Sequence, residues 1–342
     1  MAERENYEAR AISASGPGSD PESLRVAYLD LLKLSLCDLA GAGTVSVGRS
    51  RSGRTFRREL TGEDRRPRTV GLDWPLNGLT MVGLSRLDDL QSCVESVVGD
   101  GIEGDLIEAG AWRGGASLLI RATLDSLGAA DRTVWVADSF QGFPEPDTDE
   151  DGPGKLDLSA VDFLSVSQAE VLSHFERLGL SEGVRLVPGF FEETMPTLRG
   201  GKWSLIRLDG DTYDATRVSL DALYAGLSVG GYLVIDDYFV DECEQAVEDF
   251  RAEHGITEPI EQIDWTGVRW RRRDTNGPAP GLATGEPRFT STATSPVPVD
   301  VDSARPRIPS LREFQLEKEL ADVNQRLEAI KLEVQSFRKS NR

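Results

Sequence analysis

The sequence predicts an α/β domain built on a doubly wound, mostly parallel sheet. Three observations carry this. Short apolar runs at 105–109, 133–137, 184–187, 204–208 and 232–235 have the length and character of strands covered on both faces. Segments of helical length and period, 116–127, 167–178, 214–227 and 242–254, separate them. Acidic residues follow the runs, where the strand ends of an open α/β sheet form the ligand crevice. Two further runs, 259–264 and 268–272, are close enough in sequence to form an antiparallel pair at the sheet edge.

The stretch DLIEAGAWRGGAS, 105–117, joins the first strand to the first helix. Gly110, Gly114 and Gly115 would let the backbone approach a ligand with no Cβ in the way, and the helix start would face that ligand with its N–H groups. The spacing is neither GxGxxG nor the phosphate loop GxxxxGK[ST], so a plain tight turn is the other reading.

Upstream, 1–22 reads as a disordered leader and 23–100 as a helical and lid region, with an amphipathic helix at 28–41. Leu84, Leu87, Leu90 and Val94 recur at helical spacing in a second helix. Between them eight arginines from Arg49 to Arg68 lie among Gly, Ser and Thr, read as a mobile loop. Such a loop is either a lid that gathers a polar substrate or a solvated connection.

The catalytic domain is assigned to 101–274 and a linker with seven prolines to 275–310. Within 311–340, Leu316, Leu320, Val323, Leu327, Ile330, Val334 and Phe337 alternate spacings of four and three, an a/d pattern expected of a coiled coil. It would make the chain a homo-oligomer or pack back on its own domain.

The formal charge of −20 argues against a general nucleic-acid binder, which needs Lys and Arg on the phosphates. No apolar stretch reaches the roughly 18 residues a membrane span needs. Cys37, Cys93 and Cys243 are too scattered for a zinc knuckle or a CxxC pair, so reduced thiols and a cytoplasmic setting are expected.

Candidate chemistry lies at the strand exits. Asp138 ends the second strand, where an acid can accept hydrogen bonds from both ribose hydroxyls of an adenosine-bearing cofactor; capping the next helix is its plainer use. Asp209 and Asp211 end the fourth strand, and Asp236 with Asp237 the fifth. Asp209, Asp236 and Asp237 would meet at one point of the rim, where a hard divalent cation relieves their repulsion; oxygen-only ligation favours Mg²⁺, Mn²⁺ or Ca²⁺. Loop aspartates that cap helices are the alternative. The two histidines, His174 and His254, fall in expected helices away from this rim, which argues against zinc catalysis and a Ser-His-Asp relay.

The set DLIEAGAWRGG, VWVADSFQGFPEPD, VPGFFEETMP, RLDGDTYDAT and GGYLVIDDY resembles, in order and spacing, the macrocin-type sugar O-methyltransferases of actinobacterial antibiotic pathways, over roughly 28–272. The resemblance implies a Rossmann-like class I S-adenosylmethionine-dependent methyltransferase, with a seven-stranded sheet whose final strand is antiparallel. It implies Mg²⁺ at Asp209, Asp236 and Asp237. Cofactor contacts at Glu108, Gly110, Asp138, Ser139, Gly189 and Phe190 follow by the same resemblance, with Met81 and the acidic loop 145–150 on the substrate side. The expected substrate is a sugar on a natural product or glycan.

A sugar hydroxyl is a weak nucleophile near neutral pH, so Asp209 is given two duties, metal ligand and general base. Methylation of a catechol or another vicinal diol needs the same chelation and remains an alternative. A non-catalytic scaffold and an NAD-binding protein are the readings from other classes; three clustered carboxylates argue against the first and the missing GxGxxG against the second. The arginine-rich island is not among the motifs that carry the resemblance, and the tail after Asp274 lies beyond its span.

Overall fold

The computed structural model describes Gly18 and residues 20–49, 55–144 and 161–273. The expected leader up to position 17, the acidic loop 145–150, the linker and the heptad segment lie outside the described residues.

Helix α1 spans Pro21–Leu36, seven residues earlier at its start than the apolar run implied. Asp20 accepts a hydrogen bond from the Ser23 N–H at 3.0 Å and Pro21 occupies the first turn, so a cap and a preset φ start the helix in polar sequence. Leu29, Leu32 and Leu36 are its buried apolar positions.

The arginine-rich region is not simply a loop. Strands β1 (Gly43–Arg49) and β2 (Thr55–Thr61) pair antiparallel from Gly43 opposite Thr61 to Arg49 opposite Thr55, and β3 (Trp74–Pro75) takes the other edge of β1. Thr, Val and Phe outweigh the polar composition that suggested a loop. The short helix α2 (Arg66–Thr69) carries Arg68, only 1% exposed, which donates to both Asp73 oxygens, to Thr44 Oγ1 and to the Cys37 and Val45 carbonyls. This arginine braces the hairpin from inside, whereas Arg57 and Arg58 stay exposed.

Helix α3 (Leu84–Gly99) leads into the main sheet. Its strands and helices follow as β4 (Asp105–Ala109), α4 (Gly115–Ser126), β5 (Val134–Asp138), α5 (Gln168–Leu178), β6 (Val184–Pro188), α6 (Phe191–Thr194), β7 (Trp203–Leu208), α7 (Tyr213–Leu223), β8 (Leu227–Ile235), α8 (Asp241–His254), β9 (Glu261–Gln262) and β10 (Val268–Arg271). The strand order is β6-β5-β4-β7-β8-β10-β9. Strands β4 to β8 are parallel to their neighbours among themselves, and β10 runs antiparallel to β8 and β9, as expected. The helix expected over 214–227 stops at Leu223, because a 3-10 turn at Tyr224–Gly226 feeds β8 five residues early.

Alternation along the strands divides the core between the two faces. Leu106, Val134, Val136, Leu205 and Val234 pack with α1, α3, α4 and α5; Ile107, Ala137, Ile206, Leu208, Leu233 and Ile235 pack with α7 and α8. Chain order reverses between β4 and β7, so their C-terminal ends flank the crevice where this architecture binds ligands. Among the described residues no helix is long and apolar enough to cross a membrane.

Candidate active site

The backbone brings the strand ends together. Beyond the strands, the Gly110 N–H donates to the Ala137 carbonyl (2.8 Å), the Asp209 N–H to Ala109 (2.9 Å) and the Asp236 N–H to Leu208 (2.9 Å). Gly110, Asp209 and Asp236 therefore stand side by side at one edge of the crevice. Gly110 has φ +94°, and a Cβ there would run into the Asp209 carbonyl. At Gly115 a Cβ would lie 2.5 Å from the Leu79 carbonyl oxygen, which accepts from the Gly115 N–H. These two glycines thus answer first to chain packing against chain, in keeping with the plain tight turn that the sequence allows beside a ligand approach.

Asp138 organises the turn. Its Oδ2 accepts the Ala111 and Trp112 N–H groups at 2.9 and 3.0 Å, and its Oδ1 accepts the Phe140 N–H at 2.8 Å. Ser139 donates to the Gly142 carbonyl at 2.6 Å and so closes the following bend. Gly189 joins the same edge through its N–H to the Asp138 carbonyl (3.0 Å), and Phe190 caps α6. Met81 is half-buried in the segment that crosses the start of α4. Trp112, Phe140 and Asp211 have φ of +47°, +55° and +58°, left-handed values that non-glycine residues hold only under constraint and that cluster at binding sites.

Two of the expected site residues are held by buried arginines. Glu108 is 1% exposed, its carboxylate engaged by Arg207 Nη1 at 2.5 Å and by the Ser117 hydroxyl. Burial pushes its carboxyl up to about 7 against the opposing pull of Arg207. Asp236, placed by sequence in the cation cluster, is 4% exposed and pairs with Arg207 and Arg86. The carboxylates that converge are Asp209, Asp211 and Asp237, each half-buried, with oxygens all within 4.8 Å of one another. The Asp211 N–H donates to Asp237 Oδ2 at 3.3 Å. Just past the end of β8, Asp236 is drawn inward by Arg86 and Arg207 while its neighbour Asp237 faces Asp209 and Asp211.

The cluster is electrostatically loaded. Burial and then the neighbouring carboxylates raise the pKa of Asp209, Asp211 and Asp237, Asp211 to about 7, so each holds its proton more tightly than an ordinary carboxyl. Three oxygen donors at this separation suit a hard divalent cation. Sequence reading missed Arg207, Arg86 and Asp264. A lone charged residue in the strand WSLIRL was the available signal, since a buried cation needs carboxylates around it. Also unforeseen was the aromatic group over the turn: Trp74 stacks on Phe163 (5.9 Å), Trp112 tilts against it (5.4 Å), and the Arg113 guanidinium lies 4.3 Å from the Trp112 ring.

The family described as Macrocin-O-methyltransferase (TylF) matches residues 27–272. The 8-demethyl-8-(2,3-dimethoxy-alpha-L-rhamnosyl)-tetracenomycin-C 4'-O-methyltransferase of Streptomyces olivaceus is 45% identical over 254 residues, which are 73% of this chain and 94% of that protein. Mycinamicin III 3''-O-methyltransferase of Micromonospora griseorubida is 42% identical over 252 residues, 72% of this chain and 96% of the relative. The solved structure of the O-methyltransferase NovP superposes with a TM-score of 0.63 at 39% identity, covering 73% of this chain and 99% of that one. With the sheet order, the strand-end site and these likenesses in agreement, the chain is an O-methyltransferase that belongs to the macrocin O-methyltransferase family.

Proposed function

We propose that the protein moves a methyl group from S-adenosylmethionine to a hydroxyl of a sugar carried by a natural product, with a divalent cation, Mg²⁺, at Asp209, Asp211 and Asp237. The observation that carries this is the convergence of three carboxylates beside the Gly110 turn at the switch point of the sheet. The rhamnosyl group in the name of the Streptomyces olivaceus relative supports a sugar acceptor.

The turn 110–112, held by Asp138, and the edge formed by Gly189 and Phe190 would hold S-adenosylmethionine, which supplies the electrophilic methyl carbon. A cation at the three aspartates would supply Lewis-acid stabilisation of the deprotonating hydroxyl. Asp209, a quarter exposed on its side chain, takes the proton from that hydroxyl. The left-handed Asp211 keeps its carboxylate beside that of Asp237, and most of the remaining acceleration would come from the turn orienting the methyl donor toward the acceptor.

The test is turnover with S-adenosylmethionine and a panel of rhamnosylated and other deoxysugar-bearing natural products, with and without EDTA. Methylated sugar that disappears with EDTA and returns with Mg²⁺ is expected. Turnover indifferent to EDTA would remove the cation, and methylation of a catechol but of no glycoside would replace the acceptor.

A further inference from the structure

Arg207 occupies β7 with 2% exposure, between strands on both sides. Its Nη1 reaches Glu108 at 2.5 Å on β4; its Nη2 reaches both Asp236 at 2.5 Å, past β8, and Asp209 at 2.9 Å. The second hold on Asp236 comes from Arg86 of α3, whose Nε also donates to Asp264 at 3.0 Å. Asp264 in turn accepts the Thr266 and Gly267 N–H groups between β9 and β10, and Thr266 Oγ1 donates to the Asp236 carbonyl at 3.0 Å. The result is a closed chain of buried charges running from α3 under the crevice to the sheet edge.

We propose that Arg207 is the positioning residue of the acidic cluster: one guanidinium holds Asp209 and Asp236 together, so that Asp209, Asp211 and Asp237 keep a single arrangement before a cation arrives. The inference rests on the proposed cation site. Three carboxylates this close repel one another, and without a fixed counter-charge Asp209 would turn away from the other two. A planar guanidinium can engage three carboxylates along separate N–H directions, which a lysine ammonium on a flexible stem does not reproduce. Arg121 offers the contrast: it is equally buried, but it donates to the Arg132 carbonyl and to Asp125 and to none of the crevice carboxylates. A buried arginine that only ties the fold together looks like Arg121.

Calorimetric titration of the full chain with Mn²⁺, in the absence of acceptor, separates the two roles. Arg207→Lys is expected to weaken Mn²⁺ binding about tenfold or more, the scale of lost support behind a metal ligand. Arg86→Lys, which keeps Arg207 but loosens Asp236, should show a smaller loss. Arg121→Lys should lower the melting temperature and leave the Mn²⁺ affinity within about twofold of the parent. A parent protein that binds no Mn²⁺ ends the cation site and this inference with it. If the parent binds and folded Arg207→Lys matches it, or if Arg121→Lys loses as much, only the role of Arg207 falls. Should Arg207→Lys not fold, an unchanged affinity in Arg86→Lys overturns the proposal.

Discussion

Gly110 and Asp209 meet backbone to backbone: the space a Cβ would need at Gly110 is filled by the Asp209 carbonyl. The close approach places the turn proposed to hold the cofactor beside the proposed base. Gly110→Ala adds that clash to the strain of a side chain at φ +94°. The variant should lose about 2 kcal/mol or more of stability in urea unfolding and lose S-adenosylhomocysteine binding by calorimetry. Full retention of both would mean that the turn relaxes freely.

Asp209→Asn removes the proposed proton acceptor with little change of shape. Turnover at saturating Mg²⁺ should fall about a hundredfold or more while the fold persists by circular dichroism. Activity near the parent value would assign the base elsewhere.

Asp211→Asn distinguishes the cluster in the structure from the one expected from sequence. Removing one of three mutually repelling carboxylates should leave the metal-free protein at least as stable as the parent, and should reduce the rise in melting temperature that Mg²⁺ produces. Asp236→Asn should behave differently. It leaves Arg86 and Arg207 short of a buried partner, so the metal-free protein itself should lose about 3 kcal/mol or more, read from urea unfolding.

Cys37, Cys93 and Cys243 are buried and unpaired. Burial raises all three thiols, Cys37 and Cys93 up to about 12, which leaves almost no thiolate near neutrality. Ellman's reagent at pH 8 should therefore find no reactive thiol in the native protein and three after unfolding in guanidinium. Rapid labelling of the native chain would contradict this.

The heptad pattern after the proline-rich stretch makes assembly through the tail the expectation from sequence. A chain ending at Arg273 keeps the whole family match and both core layers, so it should fold and methylate. The number of subunits, taken from its mass by light scattering, should drop relative to the full chain. An unchanged oligomer would move the interface into the catalytic domain.

Periodicity and strand-end chemistry determined a large share of this protein. The five parallel strands, their covering helices and the antiparallel closure were readable because apolar runs of strand length can be buried only one way in such an order. The family followed from five ordered motifs, and Asp209 and Asp237 from their positions at strand exits. Tertiary structure decided what depends on partners distant in sequence. Asp236 and Asp237 are indistinguishable as letters, yet Arg86, 150 residues away, draws the first inward and leaves Asp211 to join the open cluster. Glu108 is held by Arg207 across the sheet, and the arginine-rich stretch becomes a hairpin because Arg68 finds Asp73 and Thr44 inside it. A buried charge goes where its counter-charge is, and that position is set by the fold, not by sequence neighbours.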